Sequence, residues 1–308
     1  MNRKGLRLTL AATTAALVSI PAGQAEPLNR SQISAEAKWV IHLDVDAFRK
    51  TKIGARVLEL ANTKYRAQLK DAGLNFNTDF DKLANITAYG TEFKEQNPEG
   101  VLILKSRSDL KTDLDALIGL AALSGDESKK IVKSSEGSVE TYSVGDDMHG
   151  SLVAGDTLIL GKTKGLLATG RNALAGKAET LAASQTFKDL PAPETGFLFL
   201  GLAQGFGANV PPQAQILKEA EGGGIVLGEK DEKVFLNLTL KGKNAEVITQ
   251  MQQVVQGLMA LASMSEEAPP EIKDLIRGAN VTAKESVLNV SLSFPSAKLL
   301  EKIEAAAK

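Results

Sequence analysis

Three side chains near the start of the chain are of the types that hold a metal ion or move a proton: His42, Asp44 and Asp46, within KWVIHLDVDAF from Lys38 to Phe48. On an extended strand every second residue points the same way, with neighbours on one face about 6 to 7 Å apart. An imidazole and two carboxylates at that spacing could share zinc or a similar ion, or serve a hydrolase as general acid and base. Two features of the sequence favour a plain solvated face instead. A single histidine beside two acids lacks the fuller ligand spacing of zinc signatures. A later stretch, GFLFLGLA from Gly196 to Ala203, echoes the first and sets Phe199, Gly201 and Ala203 where the three polar residues stand, so the unit folds without them. On this reading Trp39, Ile41, Leu43 and Val45 face inward, and Asp46 caps a helix that follows the strand.

Other chemistry-bearing stretches are weaker. His149 lies beside Asp146 and Asp147 and could join a hydrolytic triad, but no G-x-S-x-G pentapeptide occurs to present a serine, and the chain has no cysteine. Gly161-Lys162-Thr163 follows a strand-like run and precedes a helical one. A phosphate-binding loop needs glycine four residues before its Gly-Lys, and Asp156 stands there. Carboxylates suited to a glycosidase pair are plentiful, yet Trp39 is the one tryptophan and there are three tyrosines, a poor supply for a sugar cleft. No cofactor is implied.

The elements around these residues come in a repeating order. After the first strand, Ile53, Val57, Leu60, Ala61, Tyr65 and Leu69 mark the inner stripe of an amphipathic helix. A hairpin follows in ITAYGTEFKEQNPEGVLILK, then a helix behind Ser108, four short strands and a closing helix from Lys162 to Ala175. From Gly196 the order starts again: strand, hairpin (GGIVLGEKDEKVFLNLTLKG), a helix capped by Asn244, two strands, and a closing helix from Ser296 to Ala307. SQTFKDLPAPETG, Ser184 to Gly196, reads as the linker. The expected architecture is α+β, with two related units of mainly antiparallel sheet and helices packed on one face, residues 26–186 and a shorter 187–308.

The N-terminus has the form of a secretory signal peptide, residues 1–25: Arg3, Lys4 and Arg7, an apolar run from Leu8 to Ile20, and small residues to Ala25. Cleavage would leave 33 basic against 37 acidic side chains, a balance that argues against nucleic acid as a partner. No later stretch reaches the ~20 apolar residues that span a bilayer. A periplasmic or secreted protein without an integral membrane segment is expected.

The stretches AKWVIHLDVDAFRKTKIG and LANITAYG, together with the duplicated layout, resemble a class of exported bacterial α+β proteins of unknown function. That resemblance implies a secreted α+β fold and carries no catalytic residue. The function expected is a non-enzymatic binding or structural protein of the cell envelope, its partner a protein or an apolar ligand. Two alternatives stand beside it: a hydrolase using acidic residues or a metal near His42, Asp44 and Asp46, and a periplasmic carrier of an apolar ligand. The carrier reading draws on GFLFLGLAQGF, Gly196 to Phe206, which is apolar on both faces.

Overall fold

The computed structural model describes residues 28–71, 82–92, 99–123, 130–136, 139–145, 147–185, 187, 188, 190, 197–204, 212–266 and 269–306. The signal-like residues 1–25 lie outside them, as does most of the expected linker. Among the described residues, twelve strands form one antiparallel sheet, so the chain is α+β as its periodicity indicates. The first seven are β1 (Trp39–Asp44), β2 (Leu83–Gly90), β3 (Val101–Ser106), β4 (Ile131–Glu136), β5 (Val139–Val144), β6 (Met148–Val153) and β7 (Thr157–Gly161). The remaining five are β8 (Phe197–Gln204), β9 (Ala220–Lys230), β10 (Lys233–Gly242), β11 (Asn280–Lys284) and β12 (Val287–Pro295).

Their spatial order is β11-β12-β10-β9-β8-β1-β2-β3-β7-β6-β5-β4. The seam is the β8–β1 pair, where His42 lies opposite Leu200 and Ile41 opposite Gly201. Outward from it the order reads alike on both sides. A strand is followed by a hairpin, and the next neighbour is the last strand of that half, with its penultimate strand outside it. The first half adds β5 and β4 beyond that point. At the tip of the β9–β10 hairpin, Asp231 and Glu232 both have positive φ, 51° and 59°. Positive φ at both central residues is the type I′ turn that matches strand twist.

Helices are α1 (Val45–Lys50), α2 (Lys52–Asp71), α3 (Lys111–Leu123), α4 (Lys164–Leu174), α5 (Ala245–Met264), α6 (Pro270–Arg277) and α7 (Ser296–Ala306). Local side chains set several of their starts. Thr163 accepts from the Leu166 N–H at α4, and Asn244 from the Val247 N–H at α5. At α3 the acceptor is the Asp109 carboxylate, which receives the Lys111 N–H, while the expected cap, Ser108, donates its own N–H to Ser106. α6 is absent from the expected order of elements, although Ile272, Leu275 and Ile276 fall at helical spacing and Pro270 stands at its first position.

Antiparallel pairing keeps opposed residues on the same side of a sheet, so the register sorts the whole sheet into two faces. One face carries the main core: Val40, Tyr89, Val101, Ile159, Leu200 and Leu202 meet Leu167 of α4, Ile33 and Ala37 from the N-terminal segment, and Leu181, Phe187 and Leu190. Gly170 lets α4 sit close, since a Cβ there would stand 2.7 Å from Val101. Phe187 and Leu190 fall inside the expected linker, yet both are buried, and Arg30 donates to the Phe187 carbonyl. That part of the segment is a packed strap: its sequence lacks periodicity because it follows the sheet as irregular backbone. On the other face, Ile248 and Met251 of α5 pack with Leu240, Leu288 and Val281 near one edge. At the opposite edge of that same face, Asp115 of α3 reaches Lys133, whose ammonium also lies over the Tyr142 ring.

Candidate functional site

The first strand is turned the opposite way from the sequence reading. His42 and Asp44 lie on the core face, 2% and 0% exposed, while Ile41 is 43% exposed. The polar pair is buried because α4 and the two segments containing Ile33 and Phe187 close over that side, a cover made of residues far away in sequence. Both polar side chains are partnered there. His42 Nδ1 lies 2.8 Å from Thr87 Oγ1 across the β1–β2 pair, and its ring tilts against Phe197 at 5.8 Å. Asp44 ends the strand and caps α1, its Oδ1 accepting the Ala47 N–H at 2.7 Å. The cap expected of Asp46 thus belongs to Asp44, because the strand stops at Asp44 and Val45 already begins the helix. Burial raises the Asp44 pKa; the Ala47 hydrogen bond opposes this, and the nearby Asp46 adds to it.

Asp46 points elsewhere. Its Oδ1 accepts from Arg49 at 2.7 Å and from Arg107 at 2.8 and 2.6 Å, tying α1 to the end of β3. The fold therefore brings His42 and Asp44 to one face and leaves Asp46 in an ion-pair cluster. Among the described residues no group of three or more histidine or acidic side chains is placed to hold a metal ion. His149 is 7% exposed on β6, with Nδ1 2.9 Å from Ser143 Oγ on β5. The pair links neighbouring strands through a partly buried hydrogen bond; of the acids near it in sequence, Asp147 is exposed and Asp146 lies outside the described residues. Gly161, Lys162 and Thr163 form the close strand-to-helix entry into α4, where a Cβ on Gly161 would meet the Leu167 N at 2.7 Å.

What the sequence reading missed is on the side facing away from the core. One row of that face runs through Ile41, with Ala88, Leu102 and Leu160 to one side and Gly201, Ile225 and Leu238 to the other. The next row runs through Leu43, with Ile86, Leu104 and Leu158 on one side and Phe199, Leu227 and Leu236 on the other. Apart from Gly201, none of these residues is buried. On β6 the same register adds Gly150 to the first row and Leu152 to the second, so from β10 to β6 the rows cross eight strands, roughly 34 Å at about 4.8 Å per spacing, and two rows make the strip ~10 to 12 Å wide. Its floor is about 400 Å², the size of the largest apolar patches that monomers expose, which are often functional. α3 and α5 stand at its two ends, carrying the exposed Leu117 and the exposed Leu258 and Leu261. Trp39 lies on this face too, two residues from Ile41, its ring against Gly90 and Gly100.

No family model matches the chain. No curated protein matches it either. The fold does recur among solved structures. Crystal form IV of TP0453 superposes with a TM-score of 0.51 at 11% identity, covering 91% of this chain and 96% of that one. Crystal form III gives 0.51 at 12% identity, with 91% and 98% covered. Crystal form I gives 0.50 at 11%, with 91% and 97% covered. At this identity the likeness establishes a shared fold across nearly the full length of both chains.

Proposed function

We propose that this is an exported, non-enzymatic binding protein of the cell envelope, built from two related sheet units, which holds an apolar partner on the partly exposed strip of sheet between α3 and α5. The observation that carries the reading is the strip through Ile41 and Leu43, a continuous aliphatic surface on strands whose other side is already the core. Removing ~400 Å² of apolar surface from water is worth on the order of 10 kcal/mol before the costs of association. The candidates for catalysis support turnover less well. His42 and Asp44 are sealed beneath the core, and Asp46 is held by two arginines.

The reading is tested by native mass spectrometry of the protein purified gently from its own cells. A mass in excess of the polypeptide is expected. It should be lost in Ile41→Glu and kept in Val132→Glu, which places the same charge at an exposed position on the opposite face of edge strand β4. Wild-type protein of bare polypeptide mass, or an adduct indifferent to Ile41→Glu, would overturn it.

A further inference from the structure

Building on that reading, we infer that the occupant of the strip is a single lipid molecule with more than one acyl chain, lifted out of its membrane. The lining is hydrocarbon: leucine, isoleucine and alanine side chains with one phenylalanine, and no hydrogen-bonding group among the two rows. Backbone N–H and C=O groups of the inner strands are already used in the ladder. An extended peptide laid across this floor would bury its own backbone groups without partners, which folded and bound chains avoid.

A second copy of the protein is also a poor fit. A stable interface takes about 800 Å² from each partner, roughly twice the floor of the strip. α3 and α5 both stand on this side of the sheet, and a helix is about 10 Å thick, so a flat protein surface would rest on the helices before reaching Ile41. A hydrocarbon chain is slender enough to lie between them.

The dimensions favour several chains. A bilayer core of about 30 Å is two chains deep, so each chain is ~15 Å long. At a contact spacing of ~4.5 Å one chain covers only about a sixth of the floor; two can lie abreast in a strip ~10 Å wide, and two such pairs end to end roughly match its ~34 Å length. A single-chain acid would leave most of the strip in water.

Trp39, the one tryptophan, supplies the readout. The full protein is mixed with vesicles of phosphatidylglycerol brominated on both acyl chains, tryptophan emission is followed, and vesicle-free protein is then isolated by size exclusion and weighed under native conditions. The expected result is quenching of Trp39 that persists after the vesicles are removed, with one lipid mass per chain. Ile41→Glu should weaken binding at least tenfold and Val132→Glu should not, and brominated stearic acid should bind at least tenfold more weakly than the two-chain lipid. Absence of quenching, quenching that vanishes with the vesicles, or stearic acid binding as well as the two-chain lipid would each overturn the inference. A mass adduct on protein from its own cells that is not a lipid would overturn it too, while leaving the broader binding reading in place.

Discussion

Replacing Asp44 by asparagine separates two roles that one buried carboxylate performs. Asparagine keeps an oxygen to accept the Ala47 N–H and discards the charge, whereas alanine discards both. Because burial raises the folded-state pKa above the ordinary 3.8, the folded protein binds this proton more tightly than the unfolded chain does. Below about pH 3.8 both states are protonated and the group costs nothing. As the pH climbs from there to the folded-state value, wild-type stability falls by about 1.4 kcal/mol per pH unit from this group alone, and above that value the penalty is constant. Asp44→Asn is therefore expected to be more stable than wild type at pH 7, with the advantage gone near pH 3. Asp44→Ala should fall below Asp44→Asn by about 1 kcal/mol at every pH, the usual worth of an N-cap. Urea unfolding of the three proteins at pH 3, 5 and 7 measures both differences. An asparagine variant less stable than wild type at pH 7 would refute the argument and show that the ionised carboxylate has favourable partners that outweigh its burial.

Two further substitutions probe the frame around the strip. Phe187→Ala should cost about 3 to 5 kcal/mol in urea unfolding, as for an aromatic side chain removed from a core; a cost under about 1 kcal/mol would mean the strap is a passive connection. Changing the Asp231-Glu232 turn to Asn-Gly should raise stability by roughly 1 kcal/mol, since both positions have positive φ. The lost Lys52–Glu232 ion pair is exposed and offsets little. An unchanged or lower melting temperature would count against the turn assignment.

Strand and helix positions were largely legible in the sequence because they depend on local pattern. Alternation marks β1, and Asn244 announces α5 three residues before the N–H it receives. Which side of β1 faces the core was not legible. Trp39-Ile41-Leu43 and Val40-His42-Asp44 differ by two polar groups, and local chemistry suggests that the polar set faces water. The outcome is decided by Ile33, Leu167 and Phe187, which arrive from distant parts of the chain, and by Thr87 and the Ala47 N–H, which give His42 Nδ1 and Asp44 Oδ1 a partner once water is gone, while Asp44 Oδ2 is buried without one. The candidate site was hidden for the same reason. A leucine on a strand looks the same in sequence whether its side of the sheet is covered or bare, and the strip becomes visible only when the residues are aligned across eight strands.

The β8–β1 seam also bears on how the protein can be made. Until β8 arrives, a first half has β1 as an open edge, with unpaired backbone groups and the bulk of Trp39 and Ile41 beside them. Open edges of this kind recruit other chains. The second half, synthesised last, thus acts as a built-in chaperone for the first: by pairing Trp39–Leu43 with Phe199–Ala203 it turns an aggregation-prone margin into the middle of the sheet. Separating the halves by proteolysis or truncation would expose that margin again, so the chain functions as one indivisible sheet even though its strand order reads twice.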